Sequence, residues 1–206
     1  VQRKNQVVKT LVNGVKGTMR SHGIAVYMAE AKVLGRNADG DFLVQAGDTQ
    51  LAGKRLVVAT GSVTAVPPVP GLKEGLERGF VVTNREILDL TELPKRRVCM
   101  GGGVIGLEMA CYFASVGVPV TVIEMMPKIA GATDQEICDT LMRTYQKEGM
   151  EFKLNAKLLE VGKDSVTYED AEGKHTLTCD RMLLSAGRRA NIQGLNLEAP
   201  QVGTNR

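Results

Sequence analysis

Apolar residues near the N-terminus recur first at helical spacing and then in short β-rich runs. The helical positions are Val8, Leu11, Val12, Val15 and Met19. Gly23 follows them as a typical C-terminal stop. Three runs, IAVYMAEAKV, DFLVQAG and RLVVATG, then alternate with turn residues such as the Asp39-Gly40 pair. We therefore predict one helix and a small antiparallel meander for this region.

A second region begins after prolines at positions 67, 68 and 70, which cannot continue a helix or strand interior and keep the chain extended. In TNREILDL, Thr83 and Glu86 have the spacing of a capping box and predict the start of a helix. From Arg97 the pattern is a strand, a glycine-rich turn, a helix and a second strand. The prolines therefore indicate a crossing between two domains.

Another helix is predicted from Asp134 to Lys147, with Ile137, Leu141 and Tyr145 on one face and Gly149 at its end. The runs MEFKL, KLLEV, SVTYED, HTLTC and RMLLSAG then read as strands, with a hairpin turn at EDAEGK. Strands that alternate with helices predict an α/β fold, here a Rossmann-like domain with a parallel sheet and an additional antiparallel meander.

Composition narrows the class of protein. The 206 residues are 43% hydrophobic and contain no apolar run near the ~20 residues of a membrane helix. The net charge of +3 is spread along the chain, which argues against a nucleic-acid surface. The N-terminus lacks the features of a signal peptide, and it does not begin with Met, so we expect an unsecreted protein with a missing upstream part.

The cysteines and histidines offer no catalytic or metal-binding pattern. The cysteines are Cys99, Cys111, Cys138 and Cys179, and no two of them form a CxxC pair. We interpret them as small buried hydrophobic residues in a reducing compartment. His22 precedes a helix stop and His175 lies on a solvent-facing strand, so we predict surface positions for both.

The glycine-rich turn carries the main functional signal. Gly101, Gly103 and Gly106 form a G-x-G-x-x-G pattern directly after the strand RVCM and at the start of the helix VIGLEMACYFASVG. In dinucleotide-binding folds the first glycine permits the turn, the second lets a pyrophosphate approach the backbone, and the third lets the helix pack on the strand. The helix N-terminus favours an anion there. Gly117 ends the helix.

Glu124 ends the next strand, VTVIE, 18 positions after Gly106. This is close to the ~20 expected for an acid that accepts a hydrogen bond from a ribose 2′-hydroxyl. Its carboxylate would repel a 2′-phosphate, so the sequence favours NAD over NADP. The alternative is a glycine-rich turn of an ordinary α/β domain, with Glu124 as a solvated charge.

Several segments together resemble the flavoprotein pyridine nucleotide–disulfide oxidoreductases. They are LVVATGS, CMGGGVIGLEMA, VTVIEMMPKIAGATDQEI, KEGMEFKLNAKL and CDRMLLSAGRRANIQGLNLE, in the family's order and spacing over essentially the whole chain. The resemblance implies an NAD-binding domain, residues 71–189, inserted in a partial FAD-binding domain. Residues 1–70 would be the second part of that FAD domain, and residues 190–206 a return segment towards it.

The same resemblance assigns the cofactor residues. For NAD they are Gly101, Gly102, Gly103, Val104, Ile105, Gly106, Leu107, Glu108, Glu124, Leu158 and Gly187. For FAD they are Ala29, Ala59, Thr60 and Gly61. Glu108 matches a glutamate at the nicotinamide end, and Leu158 and Gly187 match backbone contacts. Arg188 and Arg189 match a GRRP motif in which Ala190 replaces the proline.

Other parts that the resemblance implies are not in this sequence: a CxxxxC disulfide, a first glycine motif for FAD, and a C-terminal dimerisation domain with a His–Glu pair. We therefore assign no catalytic and no metal-binding residue, and we expect these residues to be an inactive piece of a longer homodimeric enzyme. The closest likeness is to members that oxidise the dihydrolipoyl group of 2-oxoacid dehydrogenase complexes in the bacterial cytoplasm or mitochondrial matrix. NADH oxidases, metal-ion reductases and a stand-alone dinucleotide-binding module remain alternatives.

Overall fold

The computed structural model describes residues 1–204, apart from the side chains of residues 97–99. It is an α/β fold with two compact units: residues 63–189 form one, and residues 2–62 with those from 190 onward form the other. The described α-helices are α1 (Gln2–Ser21), α2 (Leu72–Glu77), α3 (Val104–Ser115) and α4 (Gln135–Lys147). None of them is long and apolar enough to span a membrane.

A five-stranded parallel sheet lies at the centre of the 63–189 unit. Numbered with the other strands in chain order, it contains β5 (Val81–Val82), β6 (Arg97–Met100), β7 (Val120–Ile123), β8 (Glu151–Lys153) and β12 (Arg181–Leu184). Their order is β5-β12-β6-β7-β8, and every pairing is parallel. From β6 the chain winds outward through β7 and β8, and it returns to the other side of β6 as β12. The switch point of the sheet therefore lies between β6 and β12.

Both faces of this sheet are buried, because successive side chains of a strand point to opposite faces. On β12, Leu183 packs in one apolar cluster with Phe113 of α3, while Met182 and Leu184 pack in a second cluster with Val166 of the meander described next. The predicted strand–turn–helix–strand over residues 97–123 and the helix over 134–147 are confirmed. Burial on both faces explains why these strands are nearly continuous apolar runs.

Two antiparallel sheets of three strands accompany the parallel one, one in each unit. In the 63–189 unit it consists of β9 (Lys157–Val161), β10 (Ser165–Asp170) and β11 (Gly173–Thr178). In the other unit it consists of β1 (Ala31–Arg36), β2 (Phe42–Ala46) and β3 (Thr49–Gly53). In each of these two sheets, strands that are neighbours in space are also consecutive in the chain. The predicted hairpin at EDAEGK is confirmed, with Asp170 opposite Gly173. A short ribbon pairs β4 (Ser62–Thr64) with β13 (Arg188–Ala190).

The first meander differs from its prediction in two strands. Its first strand begins at Ala31, so residues 24–30 of the predicted run are not in a strand. Its third strand is Thr49–Gly53, whereas the predicted run RLVVATG forms none. Thr49–Gly53 follows β2 after a two-residue turn and pairs with it at once. No described strand pairs with RLVVATG, and Val57 is 85% exposed. A continuous apolar run stays a strand only where neighbours cover it.

The helices also correct the predictions. α1 begins six residues earlier than Val8, and Gly23 has the expected positive φ of 66°. TNREILDL forms a single 3-10 turn, Glu86–Asp89, in place of an α-helix. Glu86 Oε2 accepts the Thr83 backbone N–H at 2.8 Å and its hydroxyl at 2.5 Å, and the chain becomes extended at Leu90. α2 and β5 were not predicted.

On α4 the predicted apolar face is displaced. Ile137 is exposed, and its neighbour Cys138 is buried, with Leu141 and Tyr145 packed inward. Asp134 caps this helix by accepting the Glu136 backbone N–H at 2.9 Å. The apolar pattern favoured Ile137 over the neighbouring Cys138, because isoleucine is the more hydrophobic side chain. A free cysteine nevertheless packs in a core as a small hydrophobic residue. Gly149 ends the helix with a φ of 88°.

The predicted surface position of His175 is confirmed only in part, because its side chain is 33% exposed. Its ring stacks on the buried Tyr168 at 5.0 Å between centroids, and its Nε2 lies 2.9 Å from Asp170 Oδ1. Burial raises the pKa of Tyr168. His22, in contrast, is exposed just after α1.

The cysteines of the described side chains are free thiols. Cys138 and Cys179 are buried and Cys111 is partly buried, as the prediction of small core residues requires. Burial raises the pKa of Cys179 to about 12. Cys99 belongs to β6, but its side chain lies outside the described residues.

Candidate nucleotide-binding site

A cavity of about 560 Å³ opens at the carboxyl ends of β6, β7 and β12, within the 63–189 unit. Its walls include Gly101, Gly103, Glu124, Leu158 and Gly187, all predicted from the sequence. Ligands of open α/β sheets bind outside the carboxyl ends of the strands at the switch point, which is where this cavity lies. The fold therefore brings together predicted residues from four separate segments of the chain.

Two of the three glycines of the turn are required by the fold itself. Gly101 has a φ of 106°, and a Cβ there would lie 2.5 Å from the Ser185 carbonyl oxygen. A Cβ on Gly106 would lie 2.0 Å from the Gly101 carbonyl oxygen. Gly101 therefore permits the turn, and Gly106 permits the close approach of α3 to it.

Gly103 differs from both, because nothing lies within 4 Å of the position that its Cβ would occupy. Its φ of −76° and ψ of 178° are open to any residue, and it is the N-cap of α3 without a side-chain cap. The fold thus gives no reason for a glycine here. Close approach of a ligand to the backbone would give one, since the first N–H groups of a helix have no intrahelical acceptor and attract anions.

Glu124, which directly follows β7, binds the glycine turn through its carboxylate. Its Oε2 accepts the Gly102 backbone N–H at 2.6 Å, and its Oε1 accepts the Met126 backbone N–H at 2.8 Å. Each carboxylate oxygen can accept more than one hydrogen bond. Glu124 therefore holds the turn and can still accept a bond from a ribose hydroxyl in the cavity.

A smaller pocket of about 200 Å³ shares Gly103, Ser185 and Gly187 with the main cavity. It also contains Asn84, whose Oδ1 accepts the Arg188 guanidinium at 3.1 Å. The two spaces together present an extended, partly polar path along the glycine turn. An elongated ligand with a central anionic group fits this arrangement.

The remaining predicted NAD residues lie at the start of α3 and differ in exposure. Val104 and Ile105 line the smaller pocket, whereas the Leu107 side chain is buried against Ile129 and Cys138. Leu107 can therefore face a ligand only through its backbone. Glu108 is exposed on the helix surface.

The four predicted FAD residues lie in the other unit, and all are exposed. Thr60 Oγ1 donates to the Asn191 carbonyl at 2.7 Å, and the Gly61 carbonyl accepts the Asn191 N–H at 3.0 Å. Ala29 and Ala59 are neither core residues nor part of the cavity at the glycine turn. Their assignment stays a prediction.

Sequence reasoning missed several lining residues. Ser185 directly follows the apolar strand RMLL, and Pro67, Pro68 and Val69 also line the cavity. A polar residue at the carboxyl end of a buried strand was a usable signal for Ser185. The prolines gave no such signal, because a proline-rich segment predicts only an extended connection between domains. Among the described residues, no group of His, Cys, Asp or Glu could hold a metal ion.

The parallel sheet, with a glycine turn at its switch point, defines a Rossmann-like α/β fold. Residues 2–206 match the pyridine nucleotide-disulphide oxidoreductase family, and the chain belongs to that family. The dihydrolipoyl dehydrogenase of Acholeplasma laidlawii is 40% identical over 95% of this chain and 56% of its own length. That of Mycoplasma pneumoniae is 34% identical over 96% of this chain and 43% of its own length.

Solved structures agree with this membership. The HOCl-induced flavoprotein disulfide reductase RclA from Escherichia coli superposes with a TM-score of 0.84 at 28% identity, over 99% of this chain and 46% of its own. The chain thus spans about half the length of the curated relatives it matches, between 43% and 56% for the two above.

Proposed function

We propose that this chain is the NAD(H)-binding portion of a flavin-dependent dihydrolipoyl dehydrogenase. The observation that carries the proposal is the contrast within the turn: Gly101 and Gly106 are glycines for packing, whereas Gly103 faces open space at the start of α3. A pyrophosphate at Gly103 would accept hydrogen bonds from backbone N–H groups, and the positive end of the helix dipole would stabilise its charge. When bound, NAD would supply a hydride acceptor, and its reduced form NADH would supply a hydride donor.

The chain's own residues would bind and orient the dinucleotide. Glu124, already fixed by the Gly102 and Met126 N–H groups, would accept the ribose 2′-hydroxyl. Leu158 and Gly187 line the cavity. By family membership, Glu108 would face the nicotinamide end. A preorganised carboxylate loses little conformational freedom on binding, which favours affinity and selectivity together.

The flavin side of the proposal rests on family membership. Ala29 and Ala59–Gly61 would contribute to an FAD site completed by other parts of the intact enzyme, which would be a homodimer. Hydride would pass between NAD and FAD, and the dihydrolipoyl group of a 2-oxoacid dehydrogenase complex would be oxidised. We propose the bacterial cytoplasm or mitochondrial matrix as its location, and neither nucleic acid nor membrane as a partner.

Titration calorimetry with NADH and NADPH tests the proposal. We expect NADH to bind at least about tenfold more tightly, because the Glu124 carboxylate makes a charge-assisted bond to the hydroxyl and repels a phosphate. Glu124→Gln removes the charge and keeps an oxygen for only one of the two backbone N–H groups that Glu124 accepts, so it should narrow the preference and weaken binding of both nucleotides. Glu160→Gln, an exposed position on β9, is the matched control. Equal affinities of the parent for both nucleotides would remove Glu124 from this role.

A second experiment separates the members of the family. Expressed as the complete reading frame, the enzyme should reduce NAD with dihydrolipoamide as electron donor. Oxygen- or metal-ion-dependent NADH oxidation without that activity would instead indicate an NADH oxidase or a metal-ion reductase. A reading frame that ends at these residues and binds NADH would indicate a stand-alone module.

A further inference from the structure

Ser185 lies immediately after β12, at the switch point of the sheet and between the two spaces that meet at the glycine turn. Its backbone N–H donates to the Met100 carbonyl at 2.9 Å, which continues the ladder between β12 and β6 by one residue. The sheet is therefore joined here without any help from the side chain.

The Ser185 hydroxyl makes additional contacts to the turn. Its Oγ lies 2.8 Å from the Met100 carbonyl oxygen and 3.2 Å from that of Gly101, so it can donate to either. The Gly101 carbonyl belongs to a residue with a φ of 106°, and its oxygen is the atom nearest to the position that a Cβ on Gly106 would occupy. Its direction consequently decides how closely α3 approaches β6.

The peptide unit between Gly101 and Gly102 is held at both ends. Ser185 Oγ contacts its carbonyl oxygen at 3.2 Å, and Glu124 Oε2 accepts its N–H at 2.6 Å. A peptide unit is planar, so two contacts at opposite ends restrict its rotation as a whole. Gly103 and the first N–H groups of α3 follow directly, and their direction depends on this plane.

We infer that Ser185 is a positioning residue, which orients the Gly101–Gly102 peptide so that the turn and the N-terminus of α3 receive the dinucleotide pyrophosphate. The inference rests on the proposed function, because it assigns a role in the same site. Ser185 works together with Glu124: the serine holds the carbonyl end of the peptide unit and the glutamate holds the N–H end. Glu124 would in addition accept a hydrogen bond from the ribose 2′-hydroxyl, whereas Ser185 would not contact the ligand and would act only by orienting the turn.

The test compares the 206-residue chain with its Ser185→Ala variant, using NADH and adenosine as probes in calorimetric titrations. Loss of one hydrogen bond should weaken NADH binding about fivefold. Adenosine has no phosphate and should bind both proteins equally. Ser115→Ala is the matched control, because Ser115 Oγ also donates to a carbonyl, that of Tyr112 at 2.8 Å, but at the far end of α3.

Three results would overturn the inference. Unchanged NADH affinity in Ser185→Ala would mean that the hydroxyl does not position the turn. A proportional loss for NADH and adenosine would mean that the serine only supports the fold. If the parent chain binds neither probe, the proposed function itself fails, and the positioning role fails with it. A selective loss for NADH, absent from Ser115→Ala, supports the role.

Discussion

The two units of this chain differ in how many of their apolar side chains are buried. In residues 63–189, three clusters of buried side chains cover both faces of the parallel sheet. Among the described residues of 2–62 and 190–204, the buried hydrophobic residues are Val33, Ala46 and Leu197. Helix α1 has none, and Leu11 on its apolar face is 65% exposed.

Both units follow clear hydrophobic patterns, so the difference does not lie in the local sequence. It lies in what covers each element. Side chains of β7 and β12 pack against helix α3 on one face and against the β9–β11 meander on the other, whereas the apolar face of α1 forms the wall of an open groove of about 650 Å³. An amphipathic pattern thus predicts that a face can be buried, and tertiary contacts decide whether it is.

The largest expected effect locates binding in the well-packed unit. Gly103→Val should abolish NADH binding in calorimetric titrations, because the side chain would fill the open space at the turn. Its circular dichroism and melting temperature should stay close to those of the parent. Gly106→Ala should instead lose stability as well as binding, since its Cβ would lie 2.0 Å from a carbonyl oxygen. If Gly103→Val binds NADH like the parent, the phosphate is not held at this turn.

The next effect compares two identical substitutions. Val122 on β7 is 0% exposed, so Val122→Ala should lower the free energy of unfolding by about 2 kcal/mol through lost burial and a cavity. Val12 on α1 is 44% exposed, so Val12→Ala should change it little, since alanine favours a helix. Urea unfolding followed by tyrosine fluorescence measures both. Equal losses would show that α1 is packed in solution and would break the comparison.

The smallest effect is a response of the 63–189 unit to acid. The Thr83 hydroxyl lowers the pKa of Glu86 below 4.5, and the Glu172 backbone N–H, helped by His175, lowers the pKa of Asp170 below 3.8. A carboxyl whose pKa is lower in the folded state stabilises it above the unfolded pKa, and this contribution disappears as the pH falls through the folded pKa. Stability should therefore decline from about pH 5 downward.

This prediction is checked by urea unfolding at several pH values between about 6 and 3. The combined variant Glu86→Gln and Asp170→Asn should flatten the profile over this range. The change should remain well below that of Val122→Ala, because Glu86 is exposed and Asp170 is only partly buried, so solvent screens both carboxyl groups. A parent profile without any slope below pH 5 would contradict the role of these two hydrogen-bonded groups.

Local patterns were sufficient for most of the 63–189 unit. The strand RVCM, the helix that ends at Gly117, the helix capped by Asp134 and the hairpin at EDAEGK all occur as predicted. Their signals are short-range: apolar periodicity, a cap or stop, and a turn. The same signals misplaced the third strand of the first meander, because RLVVATG has the composition of a buried strand but no described strand pairs with it.

By itself the sequence determined the family, from several motifs that occur in order along the whole chain. It also determined the α/β class, the glycine turn and the acid at the end of β7, since each of these depends on residues that are close together in the chain. Only the tertiary structure decided how the turn is held. Ser185 is 84 residues from Gly101, and Glu124 is 22 residues from Gly102, yet both contact one peptide unit. Parallel strands place their carboxyl ends together regardless of the length of chain between them, and no local pattern records which side chains then meet.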